Sequence, residues 1–392
     1  MTDLVISFDW GPQIGGAHSW LYEVYRRWPT AVGVLTTVPA SDPDLARRQD
    51  EFDRLAQEDL QTHRRAIPIP MIDLTSVSCW SRFFRDARLA AKLGGKERAT
   101  FHCLRAFPEG FVGLLAKWLS PRGRRLVTYA HGEEVLVARS SRLLSWMARR
   151  VYAASDVVIA NSESTRRLVS EICPQARIRV IHPGVDVGAF AVREGERQAF
   201  RQRLPWPRGT VVVASVARME PRKNQRAVIA AVAQLAREGI PVGYVCAGDG
   251  EERAALQALA RESGVEDRVW FPGVVSDAEK RLIYSASDIH AMPSIQVGEM
   301  IEGFGIVFLE AAAAGVPSVS GNNGGQSEAV VDGRTGLVID GSDPEQLVDA
   351  LRRLATSPDT RHAMGIHGRA WAAEHDWLEV RDRTLAAVST IS

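Results

Sequence analysis

Two α/β domains of Rossmann type, joined in tandem, are what this 392-residue sequence predicts. Three observations carry that reading. Short β-rich apolar runs alternate with segments of helical spacing through both halves of the chain, the alternation pauses once near Gly184-Val185-Asp186, and the length suits domains of about 100–200 residues each. Strands alternating with helices imply parallel sheets covered on both faces. With 45% hydrophobic and 24% charged residues, the composition excludes a disordered chain, a fibrous repeat and a disulfide scaffold.

The first series of strands reads Leu4–Phe8, Val32–Thr37, Thr100–Cys103, Leu126–Ala130, Val157–Ala160 and Ile178–Ile181. Leu4–Phe8 lies between Asp3 and Asp9 with no basic residues before it, so it reads as a strand and not as a signal peptide. A helical pattern, Ser19–Trp28, follows. After the pause and the polar stretch Arg193–Arg197, the second series runs Thr210–Val216, Val242–Ala247, Val269–Phe271, Ile289–Met292, Val316–Ser320 and Gly336–Ile339. Helical patterns at Arg226–Arg237, Glu251–Glu262 and Pro344–Leu354 lie between these strands. The expected domains are therefore 1–190 and 191–370, with an amphipathic end, 371–392. In open parallel sheets ligands bind outside the carboxyl ends of the strands, so two such sheets facing each other are expected to share a site in the cleft between them.

Up to residue 190 the chain carries 26 Lys and Arg against 20 Asp and Glu, a net +6; beyond it, 22 against 27 gives −5. The overall +1 supplies no extended basic stripe, so a nucleic-acid partner is not expected. No apolar stretch approaches the roughly 18 residues that span a bilayer. Cys79, Cys103, Cys173 and Cys246 never form Cys-x-x-Cys, which suggests neither zinc nor a redox pair and agrees with the reducing cytoplasm.

Gly15-Gly16 lies between the first strand and a helix. Without Cβ atoms the pair lets the backbone approach a ligand while the helix end offers N–H groups to an anion, although a tight strand-to-helix turn would use a glycine equally well. No Gly-x-Gly-x-x-Gly is present there, which argues against a dehydrogenase. Arg218 and Lys223 sit past the strand Thr210–Val216, where two cations suit a diphosphate; Arg222 competes for that role, and a solvated charged turn is the plain alternative.

The densest constellation is Glu302-Gly303-Phe304-Gly305-Ile306-Val307-Phe308-Leu309-Glu310. Two carboxylates around a glycine pair that opens a helix can accept hydrogen bonds from the hydroxyls of a sugar and a ribose, with phosphate at the helix end. Alone, Glu302 could be a cap and Glu310 a helix-face residue. Gly315-Val316-Pro317 and Gly324-Gly325-Gln326-Ser327-Glu328 at the next junctions favour a binding site. Asp42-Pro43-Asp44 imitates a metal-binding Asp-x-Asp but opens a charged helical stretch, so Asp42 is expected to cap it and no metal is implied. The run Trp80–Arg88 mixes aromatic and basic residues at helical spacing; it suits an apolar core face with solvated arginines, or a membrane-surface helix.

Together these motifs resemble glycosyltransferase family 4, over nearly the whole chain. Its Glu-x₇-Glu motif matches Glu302 and Glu310, its basic pair Arg218 and Lys223, and its glycine loop Gly15-Gly16. The resemblance implies the GT-B fold, two Rossmann-like domains facing each other across a cleft, the first binding acceptor and the second a nucleotide sugar, with the C-terminal segment crossing back over the first. It also implies retaining transfer without a cofactor. Glu302 would hold donor-sugar hydroxyls and Glu310 the ribose, Arg218 and Lys223 would take the charge of the leaving diphosphate, and His131 in His-Gly-Glu-Glu would approach the donor sugar. By the resemblance alone His131, Arg218, Lys223 and Glu302 are the catalytic set, and Gly15, Gly16, Gly303, Phe304, Gly305, Ile306 and Glu310 the donor-binding set.

The stretches Ala291–Glu310 and Gly321–Gly325 look most like GDP-mannose-dependent α-mannosyltransferases of the phosphatidylinositol mannoside and polysaccharide type. A lipid-linked or saccharide acceptor, with peripheral membrane contact through the basic first domain, is the expectation. Ile67–Lys96 matches no acceptor-specific pattern. UDP-glucose or UDP-N-acetylglucosamine as donor, an epimerase of the same architecture, and a non-catalytic nucleotide-sugar binder remain the alternatives, the last disfavoured because a binder needs no charge aimed at a leaving group.

Overall fold

The computed structural model describes residues 3–11, 15–38, 41–66, 76–95, 99–120 and 124–390. The chain divides into two compact units, one reaching His182 and regaining the chain from Trp377, the other spanning Pro183–Asp376.

In the first unit β1 (Asp3–Ile6), α1 (Gly16–Tyr25), β2 (Val32–Thr37), α2 (Pro43–Ala56), β3 (Leu60–Ala66), α3 (Val77–Leu93), β4 (Thr100–Cys103), α4 (Phe111–Leu119) and β5 (Arg125–Ala130) alternate. They are followed by α5 (Glu133–Arg139), α6 (Arg142–Ala154), β6 (Val157–Ala160), α7 (Glu163–Ile172) and β7 (Ile178–Val180). The strands form one sheet in the order β3-β2-β1-β4-β5-β6-β7, every described pairing parallel. On one face α3, α4 and α6 pack Phe83, Phe111, Met147 and Val151 onto Ile6, Phe101 and Leu126. Asp42 caps α2, its carboxylate accepting the Leu45 N–H at 2.8 Å. The expected strands are present, and the unexpected one is β3. Its sequence, Leu-Gln-Thr-His-Arg-Arg-Ala, is polar because it pairs only with β2 at the sheet edge, where burial does not demand an apolar run.

The second unit contains α8 (Glu194–Gln202), β8 (Val211–Val216), α9 (Gln225–Arg237), β9 (Val242–Ala247), α10 (Arg253–Glu262), β10 (Val269–Gly273), α11 (Asp277–Ala286) and β11 (Ile289–Met292). It continues with α12 (Ile306–Ala314), β12 (Ser318–Gly321), α13 (Gln326–Ala329), β13 (Gly336–Ile339), α14 (Pro344–Thr356) and α15 (Pro358–Ala373). Its parallel sheet runs β10-β9-β8-β11-β12-β13. The last helix, α16 (Trp377–Ser389), belongs to the first unit, where Arg381 donates to the Arg27 carbonyl beyond α1 at 3.4 Å.

The boundary therefore lies eight residues before residue 190. The Val185 N–H donates to the His375 carbonyl at 2.9 Å, and Phe190 packs on Tyr284, so 183–190 is bound into the second unit. The return to the first unit begins at Trp377 and not at 371, because the Trp371 indole still donates to Ala329 at 3.1 Å. The polar stretch at 193–197, expected as part of the pause, is the start of α8, whose Phe200 is buried against Ile283 and Ala286.

Candidate active site

In the second sheet the chain order reverses between β8 and β11, which is where an open parallel sheet leaves a crevice at the carboxyl ends of its strands. Lys223 follows β8 and Glu302 follows β11, so both flank that switch point. After β8 the chain makes a single turn, Pro221–Lys223, and passes through Asn224 in the left-handed region (φ 57°). Asn224 Nδ2 donates to the carbonyls of Pro293 (3.2 Å) and Gly341 (2.8 Å), and the Arg222 carbonyl accepts the Ile295 N–H at 2.9 Å. These bonds tie the turn to the loop after β11, and the cations are thereby aimed at Glu302.

Glu302 Oε2 accepts from Lys223 Nζ and from Arg222 Nη1, the latter at 3.2 Å. Arg222 Nε lies 3.1 Å from Glu220, whose other oxygen is 2.7 Å from Arg218. Three cations and two carboxylates thus form one chain, Arg218–Glu220–Arg222–Glu302–Lys223, with one positive charge in excess. Burial pushes the Glu302 carboxyl up, but Lys223 and Arg222 outweigh it and hold the group below its ordinary value. Burial lowers Lys223 against the pull of Glu302.

Glu310, within α12, lies buried and accepts at Oε1 from Lys280 Nζ of α11 at 2.7 Å, while Oε2 is buried with no partner among the described residues. Burial pulls Lys280 down, but Glu310 and Asp277 raise it overall, so Lys280 keeps its charge beside Glu310. Glu302 Oε1 likewise has no protein partner among the described residues. Each carboxylate of the Glu-x₇-Glu motif is therefore fixed by one oxygen and leaves the other to accept hydrogen bonds.

The glycines between them serve the backbone. Gly305 precedes α12 at φ 90°, where a Cβ would lie 2.6 Å from the Phe308 ring, and no side chain caps the helix. Gly303 and Ile306 are half-buried beside it, whereas the Phe304 ring is buried in the core with Phe308 and Leu309, leaving only its backbone for a ligand. Gly324, at φ 70°, faces the Glu302 carbonyl at 2.2 Å from an ideal Cβ, and the Gly325 N–H donates to that carbonyl at 2.9 Å. Gln326 uses all its bonding capacity to pin the ends of β11 and β12: Oε1 accepts from Ser294 (3.2 Å) and Gly321 (3.0 Å), and Nε2 donates to Ser294 (2.7 Å) and Asn323 (2.8 Å).

The first unit has its own switch point, between β1 and β4. His131, after β5, has Nε2 2.8 Å from the Leu104 carbonyl and packs beside the Trp20 and Tyr129 rings, which also meet each other. Burial lowers it to about 4, so the ring is neutral at pH 7; with Nε2–H donated, Nδ1 is an acceptor. Gly15 differs from the other glycines. Its φ of 178° is ordinary extended backbone, and a Cβ would meet nothing closer than His18 Nδ1 at 3.9 Å, so this fold does not require glycine at that position. Gly16 begins α1.

Of the residues expected from sequence, Lys223 and Glu302 come together, Glu310 joins Lys280, and Arg218, 69% exposed, stands off on Glu220. Arg222, only a competitor in the sequence, is the buried guanidinium that reaches Glu302. Lys280 carries no local signature, because its partner is 30 residues away. Among the described residues no group of His, Cys, Asp or Glu could hold a metal ion.

Residues 14–189 match the description Glycosyltransferase Family 4 and residues 196–371 the description Glycosyl transferases group 1. A GDP-mannose-dependent α-(1-6)-phosphatidylinositol monomannoside mannosyltransferase of Mycobacterium tuberculosis is 33% identical over 95% of this chain and 94% of its own length. The chain belongs to glycosyltransferase family 4. A Corynebacterium glutamicum relative, a GDP-mannose-dependent monoacylated α-(1-6)-phosphatidylinositol monomannoside mannosyltransferase, is 29% identical over 97% of the chain and 96% of its own length. This family 4 glycosyltransferase has the GT-B fold. Anabaena HepE, solved with UDP and glucose, superposes with TM-score 0.79 at 20% identity, all of both chains covered. Sucrose-phosphate synthase of Thermosynechococcus elongatus gives 0.78 at 21%, covering 100% of this chain and 98% of its own.

Proposed function

We propose that this glycosyltransferase moves mannose from GDP-mannose to a phosphatidylinositol mannoside or similar lipid-linked acceptor, with retention of the anomeric configuration. The observation that carries the reading is the pair of half-engaged carboxylates: Glu302 keeps one oxygen for the hydroxyls of the donor sugar, and Glu310 keeps one for the ribose. In the transfer the bond from the sugar C1 to the diphosphate breaks, the bond from C1 to the acceptor oxygen forms on the same face, and the acceptor proton leaves with the nucleoside diphosphate. Negative charge grows on the departing diphosphate, and Lys223 with the excess charge of the Arg218–Glu220–Arg222 chain offsets it. Arg218, exposed and held among the described residues by Glu220, is free to turn toward the phosphates.

His131 is the donor-sugar residue of the first unit, a neutral acceptor at Nδ1. Gly15 and Gly16 let a ligand approach the α1 end, which explains a glycine that the fold itself does not need. Phe304 contributes backbone only. The GDP-mannose assignment draws on the relatives over the full chain, not on the UDP complexes of more distant structures. We place the enzyme at the cytoplasmic face of a membrane, in keeping with four buried, unbridged cysteines.

Purified protein is incubated with GDP-mannose, UDP-glucose or UDP-N-acetylglucosamine, with and without phosphatidylinositol monomannoside. GDP release that requires both GDP-mannose and the lipid, with an α-mannosyl product by proton coupling, is the expected result. Faster turnover of either UDP-sugar, a β-linked product, or an epimerised donor without transfer overturns the reading.

A further inference from the structure

Arg222 holds both feet of the loop that leads from β11 to Glu302. Its carbonyl accepts the Ile295 N–H at 2.9 Å, and its guanidinium donates to the Ile301 carbonyl at 3.4 Å. Between these anchors residues 296–300 form a closed hairpin. Val297 and Met300 exchange N–H···O bonds of 3.1 and 3.0 Å, and Gly298, at φ 59°, takes the first tip position, where a two-residue turn favours glycine. The second tip residue, Glu299, is exposed and has no partner among the described residues. The carboxylates deeper in the site, Glu220, Glu302 and Glu310, are all engaged by cations.

A second polar tip comes from the loop after β12, where Asn322 is exposed. Asn323 Nδ2 donates to Asn322 Oδ1 at 3.2 Å, which leaves Asn322 Nδ2 without a partner among the described residues. Glu299 is three residues from Glu302 in the chain, and Asn322 is two from Gly324, whose backbone abuts the Glu302 carbonyl. Three residues of chain reach at most about 11 Å and two about 7 Å, so both tips are confined to the rim of the Glu302 site.

We propose that Glu299 of this hairpin and Asn322 form a subsite in the second unit for the terminal sugar ring of the acceptor. The acceptor oxygen must reach C1 of the sugar that Glu302 holds, so the acceptor ring ends one bridging oxygen from the donor ring and passes the rim where the two tips stand. A carboxylate accepts from neighbouring hydroxyls, and an amide both donates and accepts. Neither side chain supplies positive charge, so the subsite reads the neutral ring of the acceptor and not a phosphate. Its rigidity comes from the hairpin bonds and from Arg222, which fix the distance between Glu299 and Glu302 before substrate arrives. The inference rests on the proposed placement of the donor sugar at Glu302, and it gives the second unit a share in acceptor recognition.

Two measurements on the full chain test it. In saturation-transfer NMR with excess GDP, methyl α-mannoside receives saturation from the wild type and none from the double variant Glu299→Gln with Asn322→Ala. In the transfer assay with GDP-mannose and phosphatidylinositol monomannoside, Glu299→Gln raises the acceptor KM about tenfold and Asn322→Ala about fivefold, while the donor KM keeps its wild-type value. Both side chains are exposed, so melting temperatures do not change. Glu345→Gln, which removes an exposed carboxylate from α14, leaves both KM values unaltered and controls for the loss of surface charge. No saturation of methyl α-mannoside by the wild type, a wild-type acceptor KM in both variants, or a donor KM that rises in step with the acceptor KM overturns the inference. Saturation that depends on Glu299 and Asn322, in a protein that moves no mannose to the lipid, leaves the subsite standing and removes the proposed function instead.

Discussion

Arg218, Arg222 and Lys223 lie within six residues of one another, yet their surroundings assign them different work. Lys223 is 11% exposed and directly on Glu302, so Lys223→Ala removes a preorganised charge from the site. The expected loss is about 10²–10³ in kcat, with a smaller change in donor KM. Arg218→Ala also lowers turnover more than donor affinity, but it leaves the melting temperature unchanged because the side chain is at the surface. Arg222→Ala behaves differently. It strips a buried guanidinium from between Glu220 and Glu302, and breaking such a pair costs about 3–5 kcal/mol. Thermal unfolding of the three variants separates these roles: Arg222→Ala melts lowest, and an Arg218→Ala protein with normal kcat and only a raised KM excludes Arg218 from leaving-group stabilisation.

The loops at the switch points obey different constraints, and two glycines measure the difference. Gly324→Ala forces a Cβ against the Glu302 carbonyl at a backbone φ of 70°, so it displaces the loop carrying Glu302 and lowers both stability and kcat. Gly15→Ala meets open space, so the fold keeps its melting temperature while donor KM rises; an unchanged KM would show that no ligand comes close there. The same contrast explains what was legible in the sequence. Val242–Ala247 is buried at all six positions, so it reads as a continuous apolar run, as do most interior strands of both sheets. The edge strand β3 and helix α8 are polar because each buries only one side, and neither stands out from the surrounding charge. At the site, Glu302 and Glu310 were legible through fixed local spacing. Lys280, the Glu220 bridge and the inward turn of Arg222 depend on tertiary contacts that local spacing does not encode.

Across the whole molecule, three histidines that lose much of their hydration in the fold give stability a common pH dependence. Burial lowers His18 and His131 in the first unit to about 4, and His290 in the second to about 3, the last also because Lys223 is near. In the unfolded chain each returns to about 6.5. Between those values the unfolded state binds more protons than the folded one, so stability is highest above pH 6.5 and falls on acidification toward pH 4. From pH 7 to pH 5 each histidine removes about 2 kcal/mol. Glu109 and Glu134 act in the opposite sense, because burial raises both, and they offset part of that loss. Glu302 and Asp3, whose values are lowered, add to the loss only when the pH falls into the carboxyl range. Comparison with a variant that lacks the histidines therefore separates their part from that of the carboxyls. Denaturant unfolding measured at these two values should show a steep loss for the wild type and a clearly smaller one for His18→Gln with His131→Gln. Equal losses in the two proteins would mean that neither ring is held neutral by the fold, and the assignment of His131 as a neutral acceptor toward the donor sugar would fall with it.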